Sequence, residues 1–172
     1  MSRQLTHYNT EFESRKYPLV LILDGLNGPA NLGGIFRLAD AFHIEKIILC
    51  GPEIELNSPR IKRTARATLE KVAFEQGQEA LDTCTRYIEM GYDLMALEIT
   101  NDSIALDTYD FQKHKKIALV LGNENVGIQR EVLERCPIKL HIRMFGQNSS
   151  MNVAQATGIA LYEITKSLPT LI

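Results

Sequence analysis

Two hydrophobic rhythms alternate along this chain: short unbroken apolar runs, and stripes at helical spacing. Leu19 to Leu23 is a continuous apolar run after Pro18, suited to a parallel strand buried on both faces. Asp24 to Gly34 is turn-rich. Leu32, Ile35, Phe36, Ala39 and Phe42 then follow helical spacing, with Asn31 as the expected N-cap. Lys46 to Cys50 is the next strand and ends at Gly51-Pro52. Val72 to Phe74 reads as a short strand, and Gln78 to Met90 as a helix closed by Gly91. Tyr92 to Ile99 and Ile117 to Leu121 are further strands. Ile128, Val132 and Leu133 mark a short helix that must stop before Pro137, and Ile138 to Ile142 is the last strand. Val153, Ala156, Ala160, Leu161, Ile164 and Leu168 stripe a closing helix. The alternation predicts one α/β domain over residues 1–172 with a mainly parallel sheet, undivided by repeats or linkers.

Several strands break at a glycine into small polar residues. Gly122-Asn123-Glu124-Asn125-Val126-Gly127 follows one apolar strand, and Gly146-Gln147-Asn148-Ser149-Ser150-Met151-Asn152 follows another. Asn31-Leu32-Gly33-Gly34-Ile35-Phe36-Arg37 lies after the first. Such loops put backbone amides and short polar groups at strand carboxyl ends, where open α/β sheets bind ligands. Gly122 to Gly127 has the outline of a phosphate loop, but Ile128 and Gln129 stand where Lys and Ser/Thr are needed, which argues against an NTPase. No G-x-G-x-x-G opens the first helix, so a dinucleotide site is also weak. Ser149 and Ser150 have no nucleophile-elbow context.

Composition narrows the class further. The 172 residues are 45% hydrophobic and 23% charged, which suits a chain able to bury a substantial core. No apolar run approaches a membrane span, and residues 1–17 form a polar extension without an apolar signal core, so a cytoplasmic location is expected. Cys50, Cys84 and Cys136 are isolated, which argues against disulfides and structural zinc. His7, His43, His114 and His141 are scattered, and no metal is expected. Net charge is −2, yet Ser58 to Lys71 holds Arg60, Lys62, Arg63, Arg66 and Lys71 against Glu70 alone. That is a local +4 in a chain that is otherwise −6. Clustered Lys and Arg are the footprint of phosphate binding, although a solvated helix face gives the same pattern.

The upstream N-x-G-x-x-x-R (Asn31 to Arg37), the strand followed by G-x-E-x-x-G (Gly122 to Gly127) and the terminal I-x-M-x-G-x-x-x-S-M-N-V (Ile142 to Val153) resemble the signature motifs of the SpoU/TrmH family. These are SPOUT-superfamily RNA ribose 2′-O-methyltransferases, and the match runs from about Pro18 to Leu168. The resemblance implies an α/β knot, a sheet whose carboxyl-terminal segment makes a deep trefoil knot, and a homodimer that binds S-adenosylmethionine in the knotted loops. Periodicity would never suggest a knot.

Carried over by motif, the cofactor pocket would use Leu97, Gly122, Ile142, Met144 and Met151, with Gly122 allowing the close approach of an adenine. Arg37, Asn31, Glu124, Ser150 and Asn152 fall on the family's catalytic positions. Each also has a plainer reading: Asn31 and Asn152 as helix caps, Arg37 as a surface residue, Glu124 as a loop carboxylate, Ser150 as a turn residue. Arg60, Lys62, Arg63 and Arg66 are the expected RNA-binding residues, since no separate RNA-binding domain is expected and the RNA must be gripped by this domain and its partner subunit. Arg143 replaces the proline common in the third motif, adding a charge beside the pocket. The expected substrate is tRNA, with rRNA next. A base-methylating enzyme is disfavoured by the N-x-G-x-x-x-R motif. The alternative from another class is a non-catalytic RNA-binding or assembly module that keeps the fold.

Overall fold

In the computed structural model, described over residues 4–5, 10 and 12–171, all strands lie in one parallel sheet. His7 and part of the 1–17 extension lie outside the described residues. The chain runs β1 (Tyr17–Asp24), α1 (Pro29–Ala41), β2 (Ile44–Cys50), α2 (Pro59–Ala65), β3 (Phe74–Gln78), α3 (Ala80–Glu89), β4 (Asp93–Leu97) and β5 (Ile104–Ala105). It continues with β6 (Ile117–Gly122), α4 (Arg130–Arg135), β7 (Ile138–His141) and α5 (Val153–Thr165). The 7-stranded order is β3-β2-β1-β6-β4-β7-β5.

The continuous apolar runs are explained by burial on both faces. Leu19, Leu21 and Leu23 of β1 pack in one core with Leu32, Ile35 and Phe36 of α1, Ile61 of α2, and Leu161 and Ile164 of α5. Val20 and Ile22, pointing the other way, pack in a second core with Ala80, Cys84 and Tyr87 of α3 and Val132 of α4. Each fully buried aliphatic side chain contributes about 1.5–3 kcal/mol, and β6 is buried throughout. All three cysteines are buried and free.

Three local expectations are corrected, and one strand stands where the sequence pattern predicts none. Helix α1 starts two residues before Asn31: Gly28 is the N-cap and Pro29 occupies the first turn, where its missing N–H is no loss. Strand β3 is displaced to Phe74–Gln78 because it is a partly exposed edge strand, without the apolar run that marks its neighbours. Helix α3 begins at Ala80, after Glu79 as N-cap. The two-residue β5 has no hydrophobic pattern of its own; Ile104 and Ala105 pair with Leu140 and His141 of β7.

Candidate functional site

Sheet register decides which loops meet. Asp24 at the end of β1 is level with Gly122 at the end of β6, and Leu97 at the end of β4 is level with Leu140 of β7. The loops leaving these strands surround a cavity of about 450 Å³. Asn31, Leu97, Gly122, Glu124, Ile142, Met144, Ser150, Met151 and Asn152 all line it, although they come from four separate stretches of chain. Arg37 does not line it. It sits on the exposed side of α1, and its side chain makes no hydrogen bond or ion pair among the described residues.

The loop after β6 is fixed at three points. Asn123 and Gly127 exchange backbone hydrogen bonds of 3.1 and 2.9 Å. The Asn123 Nδ2 donates to the Gly25 carbonyl at 2.8 Å. Gln129 donates from its backbone N–H (2.7 Å) and from Nε2 (2.6 Å) to the carboxylate of Asp24, which is only 2% exposed. A carboxylate so buried needs these donors. The fold in turn uses it to tie the start of α4 to the end of β1. Gly122 serves this packing: a Cβ there would collide with the backbone of Gly127 and Ile128. The close approach that Gly122 permits is that of its own loop, and Gly122 also lines the cavity.

Glu124, at the turn of this loop, reaches the first turn of α1. Its Oε1 accepts from the Gly28 N–H at 3.0 Å and from Asn31 Nδ2 at 2.9 Å. A helix amino terminus carries unsatisfied N–H groups and a partial positive charge, and a carboxylate is stabilised there. A Cβ on Gly28 would meet the Glu124 carboxylate and force it to shift from this position. Asn31 then accepts on Oδ1 from Asn152 Nδ2 at 2.8 Å. Asn152 is the N-cap of α5, its Oδ1 accepting from Ala154 and Gln155 N–H at 3.0 and 3.3 Å. A hydrogen-bonded chain Glu124–Asn31–Asn152 thus joins the three loops. Only Asn152 is a cap.

The opposite wall is built from the β4–β5 connection and the segment after β7. Glu98 accepts from the Ile99 and Ile128 N–H groups at 3.0 and 3.4 Å, linking the β4 end to the β6 loop. Arg143 forms an ion pair with Asp107, so its charge is turned away to a partner. Ser150 is exposed at the rim. Asp24 and Glu98 stand outside the motifs, and the signal for both is an acidic residue at the end of an apolar strand; Gln129 has no such signal.

The basic segment forms α2 and the 3-10 turn Arg66–Glu70 that follows. Ser58 caps α2, its Oγ accepting from Ile61 N–H at 3.4 Å, and Ile61 and Ala65 are buried. Arg60, Lys62, Arg63, Arg66 and Lys71 are exposed, and none has a carboxylate partner among the described residues. A second concavity, on the α1–α5 surface, is almost wholly apolar and includes Leu38, Phe42, Met151, Ile159 and Tyr162. Among the described residues no group of three or more His, Cys, Asp and Glu side chains is placed to hold a metal ion, and no helix is long and apolar enough to cross a membrane.

Residues 18–162 match the model of the SpoU rRNA Methylase family. The chain belongs to that family. Within it, the chain is 30% identical over 166 residues to a 23S rRNA (guanosine-2′-O-)-methyltransferase, RlmB, of Haemophilus ducreyi, covering 95% of this chain and 67% of the relative. Among solved structures, it superposes on the AdoMet-bound rRNA methyltransferase from Sinorhizobium meliloti with a TM-score of 0.78 at 26% identity, covering 88% of this chain and 57% of that one. A protein solved for the 2-OH methylation of C/U34 on tRNA gives a TM-score of 0.75 at 26% identity, covering 89% and 96%. The chain spans about 59% of the length of the staphylococcal TrmH-family relatives it matches.

Proposed function

We propose that this chain is an S-adenosylmethionine-dependent RNA methyltransferase that methylates a ribose 2′-hydroxyl, in tRNA by preference and otherwise in rRNA. The observation that carries this reading is the Glu124–Asn31–Asn152 chain on the wall of the cavity, which unites all three family motifs at one place. The cavity suits the cofactor: about 450 Å³ is within the size of small-molecule sites, and Leu97, Leu121, Leu140, Ile142 and Ala156 give it apolar walls for an adenine.

When bound, the cofactor supplies a methyl group already activated on a sulfonium. The chain's own residues must then hold the ribose so that its hydroxyl faces that methyl, an orientation effect worth several kcal/mol. Glu124 is suited to this. Its Oε1 is occupied by Gly28 and Asn31, while Oε2 has no hydrogen-bond partner among the described residues and is left to accept from a hydroxyl. Asn31 and Asn152 fix Glu124 rather than touch Arg37. A guanidinium stays protonated near neutral pH, so Arg37 is read as a two-point clamp on the adjacent phosphate. Ser150 shapes the rim between cofactor and RNA. Arg60, Lys62, Arg63 and Arg66, unpaired among the described residues, supply the phosphate-binding face.

Two further parts of the reading concern architecture. Leu140 of β7 lies between Leu97 of β4 and Ile104 of β5, so the link 98–103 must cross β7; this supports a trefoil knot formed by the segment after β7. The apolar α1–α5 surface, where Ile159 is 39% and Tyr162 58% exposed, supports a homodimer. We read residues 1–172 as one catalytic domain of a cytoplasmic enzyme. Calorimetric titration with S-adenosylmethionine, paired with sedimentation at micromolar concentration, tests both halves. Saturable 1:1 binding to a dimer is expected; absent binding would remove the cofactor assignment, and a monomer would remove the interface.

A further inference from the structure

We propose that Phe145 is a stacking platform for an unpaired base of the substrate RNA at the mouth of the cavity. The proposal rests on the reading of the chain as an RNA methyltransferase, and it names a contact that the family motifs do not assign, because the motif leaves this position free.

Phe145 is 94% exposed, more than any other large apolar side chain of the described residues. A single exposed apolar residue needs no explanation by itself, but the surroundings of this one are specific. It directly follows Met144 and precedes Ser149 and Ser150, all of which line the cavity. Phe145 makes no ring contact with another described residue. The exposed residues after it, Gln147, Asn148, Ser149 and Ser150, keep their amide and hydroxyl groups free of side-chain hydrogen bonds to other described residues. No Asp or Glu occurs between Arg143 and Asn152, so nothing on this loop repels a phosphate. The other loop at the cavity also projects an apolar group: Val126 is 80% exposed between the lining residues Asn125 and Gly127.

One flat ring with amide and hydroxyl groups beside it, and no acid, is the chemistry that reads single-stranded RNA, whose splayed bases stack on aromatic side chains and hydrogen-bond at their edges. A protein partner asks for a different surface, a contiguous apolar one, and the chain offers that elsewhere, around Leu38, Phe42, Ile159 and Tyr162. A ribose can be presented to the cavity only if its nucleotide leaves its own stack. An aromatic ring at the mouth replaces the lost stacking.

The test uses the full chain, with F145A, F145L and F145W compared to wild type in single-turnover methylation of bulk tRNA and rRNA. F145A and F145L are expected to raise the half-saturating RNA concentration roughly ten-fold, the usual scale for one stacked base, with unchanged S-adenosylmethionine affinity and sedimentation. F145W is expected to match wild type. Because the chain contains no tryptophan, F145W also carries a single indole, whose fluorescence should be quenched on adding the same RNA. Three results would overturn the proposal: F145L equal to wild type, no quenching with RNA, or F145A converting the protein to monomer, which would assign Phe145 to a subunit contact. Wild type that labels no RNA would instead sink the methyltransferase reading itself, and the stacking proposal with it.

Discussion

Asn152 Nδ2 donates to Asn31 Oδ1 at 2.8 Å across 121 residues of sequence, tying the start of α5 to the first turn of α1. The same Asn31 holds Glu124 at 2.9 Å. Asn31→Ala should therefore cut methyl transfer roughly 10²-fold, the effect of a small misplacement of positioned groups, while costing about 1 kcal/mol of stability for each lost hydrogen bond. Asn152→Ser keeps an N-cap for α5 but is too short to reach Asn31. It should lower activity with little change in thermal midpoint, whereas Asn152→Ala should lower both. Equal activity in Asn152→Ser and wild type would show that the link to Asn31 is idle.

The proposed cofactor cavity needs a variant that fills it without breaking the loop. Gly122 is unsuitable, since its Cβ would strike Gly127 and Ile128. Ala156 lines the cavity from α5, and leucine is a good helix former. Ala156→Leu should keep the fold and reduce S-adenosylmethionine affinity at least ten-fold by calorimetry, on the order of 1.4 kcal/mol. Undiminished affinity in a folded Ala156→Leu protein would place the cofactor elsewhere.

Arg37 lies outside the cavity lining and has no partner among the described residues. Arg37→Ala should leave cofactor affinity nearly unchanged and lower the single-turnover rate by orders of magnitude, if its grip on phosphate is made mainly in the transition state. Arg37→Lys should restore little, because an ammonium lacks the planar two-point geometry. Neutralising Arg60, Lys62 and Arg63 should act differently, weakening RNA binding and flattening its salt dependence. A wild-type rate in Arg37→Ala would end the clamp assignment.

Burial pushes the Cys50 thiol up to about 11 and those of Cys84 and Cys136 up to about 12. The native state thus favours the neutral thiol, while unfolded thiols ionise near pH ~8.5. This contribution to stability is complete below pH ~8.5 and is lost as pH rises toward about 11 and 12. Thermal midpoints should fall across that alkaline window. A thiol reagent at pH 8 should modify none of the three until the chain is unfolded; rapid native labelling would contradict their burial.

The strands were legible because β1 and β6 lie between two helical layers and must be apolar on both faces, so Leu19 to Leu23 and Ile117 to Leu121 stand out. Strand β3 starts two residues beyond Val72 because an edge strand needs no such run, and β5 has no counterpart in the sequence pattern because two residues carry no period. The motif residues could be named from order and spacing. Their partnerships could not: Glu124 lies 93 residues from Asn31, and only the register of β1 against β6 brings their loops together. Asn31 looked like a cap because Asn caps helices, but Pro29 and the Glu124–Gly28 bond already complete that helix start.

The central claim is methyl transfer to a ribose at the Glu124–Asn31–Asn152 cavity. The most direct measurement incubates the protein with methyl-labelled S-adenosylmethionine and bulk tRNA or rRNA, then digests the RNA to nucleosides. The account predicts label in a 2′-O-methylated nucleoside, with Arg37→Ala and Asn31→Ala strongly depleted of it. Label on a base would contradict the ribose assignment. No label in any RNA, from protein that is folded and binds RNA, would contradict the enzyme and leave an RNA-binding module in its place.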